Sequence, residues 1–150
     1  VFYICDVKGS KVLRVYAPKW SYLDIHPCTA GLVMASYLPK SQVEEIIQDQ
    51  GLVKKTNKTI TDETEFYEKL LEVRKQRYAI DDEYYATGIK CVAAPIFNYS
   101  GKCVAAVGVT GHSDEFVDMP AIIEKVQECA FNISRKMHYD SNSFDERQKK

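Results

Sequence analysis

The sequence lacks an excess of basic residues. It contains 20 Lys and Arg against 21 Asp and Glu, which leaves a formal net charge of −1 over 150 residues. A domain that binds DNA by itself usually carries a clear basic excess. We therefore do not expect these residues to bind DNA directly.

Paired cysteine motifs and long apolar runs are also absent. The five cysteines are odd in number and widely spaced, without a CxxC pair, which argues against a disulfide framework, a thioredoxin motif and a zinc ribbon. No run approaches the roughly 20 apolar residues of a membrane span. The first residues, VFYICDVKGSKV, also lack the basic and apolar regions of a signal peptide. We expect a cytoplasmic protein with no membrane partner.

The composition that remains is that of one globular domain. Apolar residues make up 45% and charged residues 27% of 150 positions, which is typical of a single folded unit. No internal repeat or low-complexity linker divides the chain. Because the sequence opens directly on a strand-like alternation, we expect a fragment of a longer protein.

The start of the chain has strand signals. Residues 2–6 and 11–17 are rich in Val, Ile, Tyr and Phe and flank a short connection containing Gly9, which predicts a β-hairpin. Residues 19–27 have no clear period and are predicted to cross the surface as a loop.

Helix signals follow. Residues 29–38 form an apolar run of good helix formers that Pro39 ends. The sequence Ser-Gln-Val-Glu from residue 41 predicts a capping box for a second helix, which Gly51 ends. Residues 54–60 are polar and are predicted to form a loop.

A third helix is predicted to begin after Thr61 or Asp62 and to continue to residue 76. Its buried face has i, i+4, i+7 spacing and consists of Phe66, Leu70 and Val73. Residues 78–82 predict a short strand after it.

The strongest strand signal lies further along the chain. Residues 89–97 and 102–110 are apolar runs on either side of the turn Asn-Tyr-Ser-Gly at 98–101, which predicts a second hairpin. Pro95 cannot donate to a strand ladder, so we expect it at an edge or a bulge.

A long closing helix is predicted over residues 119–139, with Pro120 at its start. Its expected buried face consists of Ile122, Val126, Cys129, Ile133 and Met137. Hairpins mixed with helices predict an α+β fold, in which helices pack on an antiparallel sheet.

Three segments carry motifs in a defined order. Residues 26–39, HPCTAGLVMASYLP, contain His-x-x-Thr-x-Gly. Residues 56–111 contain Thr-x-x-Thr-Ile, Tyr-Ala-x-Asp-Asp-Glu and Gly-x-x-Cys-x-Ala-Ala-Pro-Ile, and the closing helix ends AFNISRKMHY. In these motifs the chain, over roughly residues 16–139, resembles the C-terminal effector-binding domain of the IclR family of bacterial transcription regulators.

The resemblance implies a GAF-like α+β fold, truncated at its N-terminus. Residues 1–140 would form the effector-binding domain and residues 141–150 a polar tail. The domain would bind a small, carboxylate-bearing metabolite and, as a homodimer or homotetramer, control a winged helix-turn-helix that this chain lacks. DNA would be bound only through that missing domain, as in a repressor, and neither enzymatic activity nor a cofactor is expected.

The resemblance also implies the ligand contacts. Asp81 and Cys91 match the acid and the cysteine that face the effector in the family. Thr29 and Ala30 match the helix start whose backbone holds a carboxylate, and free N–H groups at a helix start attract anions. The other implied pocket residues are the hydroxyl donor Thr110, Gly108, which leaves room for the ligand, and the apolar wall of Val12, Val15 and Ile89.

Three of the motifs depart from the family pattern. Arg77 replaces the glycine before Tyr-Ala, and His138 replaces the glycine before the final tyrosine. The strand that often reads Ser-x-Ser-Gly here reads Gly-Val-Thr-Gly from residue 108. The last departure touches the expected pocket, so the sequence does not identify the ligand.

Simpler interpretations remain open. Asp81-Asp82-Glu83 is also typical of a solvated loop, Thr29 of a plain helix cap, and Cys91 of a small core residue. His26, Cys28, Asp81 and Cys91 are residue types that bind zinc, but their spacing is not that of a metal site, and we expect none. The apolar group at residues 20–23 would form an interface or a lid.

Two rival functions also remain. GAF-like domains include a methionine sulfoxide reductase, so Cys91 or Cys103 would be a nucleophile with His26 as base, or a cysteine would be the input of a redox sensor. No motif supplies a resolving cysteine. The second rival is an oligomerisation module whose core has no ligand cavity.

Overall fold

The helices and strands follow the apolar runs and the chain breakers of the sequence. A computed structural model of the protein describes residues 1–9 and 19–140. Its elements are α1 (Thr29–Ala35), α2 (Lys40–Gln50), α3 (Glu63–Gln76), β1 (Ala79–Asp82), β2 (Ile89–Phe97), β3 (Cys103–His112), a 3₁₀ turn (Ser113–Glu115) and α4 (Met119–Lys136). The predicted strand over residues 11–17, with Val12 and Val15, and the tail over 141–150 lie outside the described residues.

The second predicted hairpin is confirmed. β2 and β3 pair antiparallel, and β1 pairs antiparallel with the other side of β2, in the order β1-β2-β3. The Asn98 Oδ1 atom accepts the N–H groups of Ser100 at 3.0 Å and Lys102 at 3.1 Å, which closes the turn. The α+β expectation is therefore confirmed.

Pro95 lies where a missing N–H group does little harm. β1 pairs with β2 only as far as Ala93, so at Pro95 β2 has a described neighbouring strand on one side alone. A bulge follows between Ile96 and Phe97. Both features match the positions that proline occupies in sheets.

Helices cover both faces of the sheet. Ala79 and Ala93 on one face belong to the core that includes Leu32 of α1 and Phe66 of α3. On the other face the buried core pairs strand β2 with helix α4 and comprises Val92, Ala94, Ile96, Val126 and Ala130. Burial on both faces explains why β2 reads as a continuous apolar run rather than an alternation.

Helix α1 is the central helix of the first layer, and Gly31 allows it to approach the preceding segment closely. A Cβ atom at Gly31 would lie 2.3 Å from the carbonyl oxygen of Ile25. The helix ends at Ala35, three residues before the predicted end. The Ser36 hydroxyl donates to the carbonyl of Val33 at 2.7 Å, a local bond that competes with helical continuation.

The capping box predicted for α2 is wrong. The helix begins at Lys40 with Pro39 as its N-cap, and no side chain caps it. Pro39 has a φ of −58°, close to the helical value that its ring imposes, so the helix starts ahead of Ser41. Its end at Gly51, which has a φ of 68°, is confirmed.

Helix α3 begins as predicted, because the Asp62 Oδ1 atom accepts the N–H group of Glu65 at 2.9 Å. Helix α4 is capped by Asp118. Its buried residues are Val126, Ala130 and Ser134, whereas Cys129 and Met137, predicted to be buried, are exposed.

Small residues explain the position of the buried face of α4. Ala130 and Ser134 let the helix approach β2, and the Ser134 Oγ atom accepts the N–H group of Phe97 at 2.9 Å. Hydrophobicity alone does not reveal such a bond. Within the described ranges, no helix combines the length and the apolar character that crossing a membrane requires.

The N-terminal residues pair with a segment that was predicted to be a surface loop. Phe2 forms an antiparallel bridge with Tyr22, and the Leu23 N–H group donates to the Val1 carbonyl at 2.9 Å. Trp20 and Tyr22 are exposed, while the chain from Ile25 onward is buried. Apart from the bridge at Tyr22, residues 19–27 form neither a helix nor a strand, so the loop prediction is confirmed, but residues 25–27 are buried rather than on the surface.

Replacing Gly31 by alanine should lower the free energy of unfolding by about 3 kcal/mol, because overpacking a well-packed core costs roughly 1–3 kcal/mol. The same change in a helix usually stabilises by roughly 0.5–1 kcal/mol. Urea denaturation measures the difference. Gly9→Ala is the control, because nothing lies within 4 Å of a Cβ atom there. Equal stability of the two variants would contradict the close approach.

Candidate functional site

Three polar side chains lie level with one another across the sheet. Asp81 of β1 pairs with Cys91 of β2, and Cys91 pairs with Thr110 of β3. Directly paired residues of antiparallel strands point to the same face. This row lies on the face that carries Ala79 and Ala93, which is the face covered by α1.

Asp81 is a buried acid in a mostly apolar layer, with a relative exposure of 1%. Burial raises its pKa from 3.8 to about 6, and hydrogen bonds from the Tyr84 N–H group and the Cys91 thiol offset this only in part. Tyr84 N–H donates to the Oδ1 atom. The carboxyl therefore gains and loses its proton close to neutral pH.

The other two acids of the Asp-Asp-Glu motif have a different environment. Asp82 forms ion pairs with Lys58 at 2.9 Å and Lys90 at 3.0 Å, which lower its pKa. Glu83 lies 3.6 Å from Lys58. The solvated-loop interpretation therefore fits these two residues and does not fit Asp81.

Cys91 lies between two polar neighbours. Its Sγ atom lies 3.0 Å from the Oγ1 atom of Thr110, and its thiol hydrogen-bonds to the Asp81 carboxyl. Burial raises the pKa of Cys91 to about 12 and that of Cys103 to about 11. Both thiols are thus protonated at neutral pH, which makes them poor nucleophiles.

The start of α1 faces this row. Cys28 is the N-cap residue of α1 and is buried. The N–H groups of Ala30 and Gly31 are directed at its sulfur, and burial raises its pKa. Cys28 lies close enough to Cys91 to contribute to the raised pKa of that thiol, so the fold brings the two predicted parts of the site together.

Thr29 and Ala30 therefore lie at the edge of the candidate site. Thr29 is buried at 7% relative exposure and opens the helix. Ala30 is half-buried. α1 contacts all three strands, which places these backbone groups above the end of the sheet where Asp81 lies.

Tyr3 is a site residue that the motifs do not reveal. Its phenol hydrogen-bonds to the Cys28 thiol and interacts with Cys91 and Tyr85, and burial raises its pKa. The sequence does contain one signal for Tyr3. It lies between Phe2 and Ile4 in an alternating segment, and both of these neighbours are exposed. Only the pairing with residues 20–23 directs Tyr3 towards the site.

The remaining predicted residues lie along the same strands. Gly108 pairs with Ala93, and a Cβ atom there would lie 2.4 Å from the Val92 carbonyl oxygen. Close packing of β3 against β2 is thus a reason for glycine at position 108 that does not involve a ligand. Ile89 is half-buried and pairs with His112, and Gly108 and Thr110 are exposed.

Two hollows of the described surface lie along α4. A groove of about 380 Å³ runs along α4 beside Cys129. A hollow of about 170 Å³ separates α4 from the Pro95 end of β2. Neither is lined by Asp81, Cys91 or Thr110. The row itself runs from the buried Asp81 through the half-buried Cys91 to Thr110, which is open to solvent.

The ring of His26, the possible base of the catalytic alternative, is held by the backbone of Val53. It is fully buried, and its Nε2 atom lies 2.9 Å from the Val53 carbonyl oxygen. A carbonyl only accepts, so this nitrogen carries the hydrogen. Among the residues that the structure describes, no group of three or more His, Cys, Asp or Glu side chains is arranged to hold a metal ion.

Known proteins share both the sequence pattern and the fold. Residues 1–135 match the family model of the bacterial transcriptional regulator IclR C-terminal domain. The HTH-type transcriptional repressor AllR of Klebsiella pneumoniae is 34% identical over 128 residues, which cover 82% of this chain and 46% of that protein. The chain spans about half the length of such curated relatives.

Solved structures show the same likeness. The Thermotoga maritima IclR structure superposes with a TM-score of 0.82 at 30% identity, covering 92% of this chain and 57% of that one. The inducer-binding domain of PobR from Acinetobacter, a double mutant in complex with 3-hydroxybenzoic acid, gives 0.68 at 29% identity and covers 77% and 67%. The chain therefore belongs to the IclR family of bacterial transcriptional regulators, whose C-terminal domain it matches.

Proposed function

We propose that this chain is a ligand-sensing domain, which binds a small metabolite between the start of α1 and the row of Asp81, Cys91 and Thr110. The observation that carries the proposal is the convergence of this row with Cys28 and Tyr3 at one end of the sheet. A few convergent polar groups on an apolar layer are typical of small-molecule sites.

The ligand that we propose bears a carboxylate. The available donors are the Thr110 hydroxyl, the protonated form of Asp81, and the N–H groups of Ala30 and Gly31, which now face the Cys28 sulfur. A ligand oxygen is a better acceptor than a thiol and would replace it. The PobR domain in complex with 3-hydroxybenzoic acid supports an acid as the ligand class.

The effect of ligand binding would be transmitted to the rest of the protein through contacts between domains. We propose that residues 1–140 form the sensing domain, that it acts as a homodimer or homotetramer, and that a winged helix-turn-helix elsewhere in the full-length protein binds DNA. The ligand shifts the balance between two arrangements by its difference in affinity for them. The names of relatives such as the repressor AllR support control of transcription.

Cysteine chemistry is the less favoured alternative. A redox sensor or a reductase needs an accessible thiolate. Burial instead raises the pKa of Cys28 and Cys91, and His26 is hydrogen-bonded to Val53. These surroundings favour a role for the thiols as polar contacts of a ligand.

A panel of small hydroxy, keto and aromatic acids, including 3-hydroxybenzoate, tests ligand binding by isothermal titration calorimetry. Thr110→Val should weaken binding of an acid about tenfold, because it removes one hydrogen bond to a charged group. Thr61→Val, an exposed position outside the row, is the matched control. If no acid binds, or if both variants lose the same affinity, the proposed site is wrong.

The pH dependence of binding identifies the partner of Asp81. A bound carboxylate raises the pKa of Asp81 above its ligand-free value of about 6, so binding takes up a proton. Affinity for the acid should therefore increase as pH falls from 8 towards 6, by up to about tenfold for each pKa unit gained. Asp81→Asn should abolish this dependence. Affinity that instead rises with pH would show a ligand that donates to Asp81.

Asp81 should also destabilise the fold at high pH. Its pKa is raised on folding from 3.8 to about 6, so its contribution to stability is present below the unfolded pKa and is lost as pH rises through about 6. Asp81→Asn keeps the acceptor for Tyr84 N–H. Relative to wild type it should gain up to about 3 kcal/mol between pH 4 and pH 8 in urea denaturation. A pH-independent difference would contradict the raised pKa.

Mild hydrogen peroxide followed by mass spectrometry separates ligand sensing from redox sensing. The exposed Cys5 and Cys129 should be oxidised first, and the buried Cys28 only after unfolding. Cys91 should be slow because its pKa is about 12. Selective early oxidation of Cys28 or Cys91 would favour the redox alternative.

A further inference from the structure

Two threonines of the polar segment after α2 bind the turn that follows β1. The Thr56 hydroxyl donates to the carbonyl of Glu83 at 2.7 Å, and the Thr59 hydroxyl donates to the carbonyl of Tyr84 at 2.6 Å. Thr59 is buried at 7% relative exposure. Neither bond belongs to a helix or a strand ladder, so the two side chains hold this turn in addition to the backbone bond from the Glu83 N–H group to the Ile89 carbonyl at 3.0 Å.

The direction of these bonds is well defined. The Thr59 Oγ1 atom accepts the N–H groups of Lys55 at 3.0 Å and Thr56 at 2.8 Å, and its own hydrogen goes to the Tyr84 carbonyl at 2.6 Å rather than to the Thr56 hydroxyl at 3.3 Å. The Thr56 Oγ1 atom accepts the N–H group of Lys58 at 3.0 Å, which leaves its hydrogen for Glu83. Each hydroxyl thus has donors on one side and a carbonyl acceptor on the other.

The same two peptide groups point their N–H bonds at Asp81. The carbonyl of Glu83 and the N–H of Tyr84 belong to one planar peptide, and that N–H donates to the Asp81 carboxyl. The carbonyl of Tyr84 and the N–H of Tyr85 belong to the next, and the Tyr85 N–H also lowers the pKa of this carboxyl. Because a peptide is planar, a hydroxyl that fixes its carbonyl also aims its N–H.

The turn needs such support. Glu83 has a φ of 68°, a left-handed conformation that non-glycine residues adopt rarely and at an energetic cost. Without the Thr56 bond to its carbonyl, the peptide after Glu83 would lose the restraint on its carbonyl side, and the Tyr84 N–H would be held less firmly towards Asp81.

The segment that carries the threonines also reaches the other wall of the site. Towards its start, the Gln50 side chain accepts the Ile25 N–H at 3.3 Å. The Val53 carbonyl accepts from His26 Nε2 at 2.9 Å. Residues 50–59 therefore connect the approach to α1 with the turn that holds Asp81.

We propose that Thr56 and Thr59 are positioning residues of the candidate ligand site, whose hydroxyls orient the two peptide groups that donate to Asp81. This inference rests on the proposed function, because it concerns the residues that hold one wall of the proposed ligand site. Hydrogen bonds in series polarise one another. Each threonine hydroxyl that donates to a peptide carbonyl therefore also strengthens the interaction of the same peptide's N–H group with Asp81.

The test follows Asp81 in the ligand-free chain. Its carboxyl carbon is titrated by NMR in wild type, Thr59→Val and Thr56→Val, and is assigned by its absence in Asp81→Asn. Donated N–H bonds favour the ionised carboxylate, so loosening them should raise the pKa of Asp81 by about half to one unit above wild type. Cys91 on β2, Asp82 on β1 and Tyr84 in the turn also act on this carboxyl, and all three are unchanged in the variants.

Conservative variants separate positioning from general stability. Thr59→Ser and Thr56→Ser keep the hydroxyl and should restore the wild-type titration, and Thr61→Val should leave it unchanged. If Thr59→Val does not fold, Thr56→Val provides the same test, because Thr56 is only half-buried. Variants that lower the melting temperature but leave the Asp81 titration unchanged would overturn the proposal.

The outcome does not depend on finding a ligand. Failure of every acid to bind would remove the proposed function and leave the Asp81 titration to decide the role of the threonines. An unchanged titration would remove that role even where an acid binds.

Discussion

Strand β2 has a strand on each side and a helical layer on each face, and the other elements are arranged around it. Its register with β1 and β3 sets Asp81, Cys91 and Thr110 level with one another. Side chains alternate across a strand, so a shift of one residue would move this row to the face of α4. The polar row faces α1 only because Val92 and Ala94 on the opposite face are buried against α4.

Burial of Asp81 is the cost of this arrangement. A carboxyl in an apolar layer is unfavourable when ionised, and the turn from Glu83 to Tyr85 reduces that cost by donating N–H groups. The carbonyl groups of this turn accept hydrogen bonds from the Thr56 and Thr59 hydroxyls. A structure selected for stability alone would place an apolar residue at this position, so the acid together with its support favours the proposed ligand site.

The sequence predicted the elements whose signals are local. The hairpin around Asn98 and the Asp62 cap depend on residues within a few positions of each other. Predictions were wrong where a distant or competing bond decided the outcome. Ser36 ended α1 early, and Ser134 turned α4 so that it bonds to Phe97. Each is a single polar bond that hydrophobic periodicity does not record.

The sequence by itself determined the α+β class, the family and the residue types of the candidate site, because motif order and apolar spacing are written along the chain. Only the tertiary structure decided that Asp81 is buried while Asp82 is paired with lysines, and that Tyr3 and Cys28 meet Cys91. The reason is physical: burial, ionisation and hydrogen-bond partners arise from segments distant in sequence. The Asp81 row, Cys28 of α1 and the Thr56–Thr59 segment become neighbours only when the sheet and its helices pack.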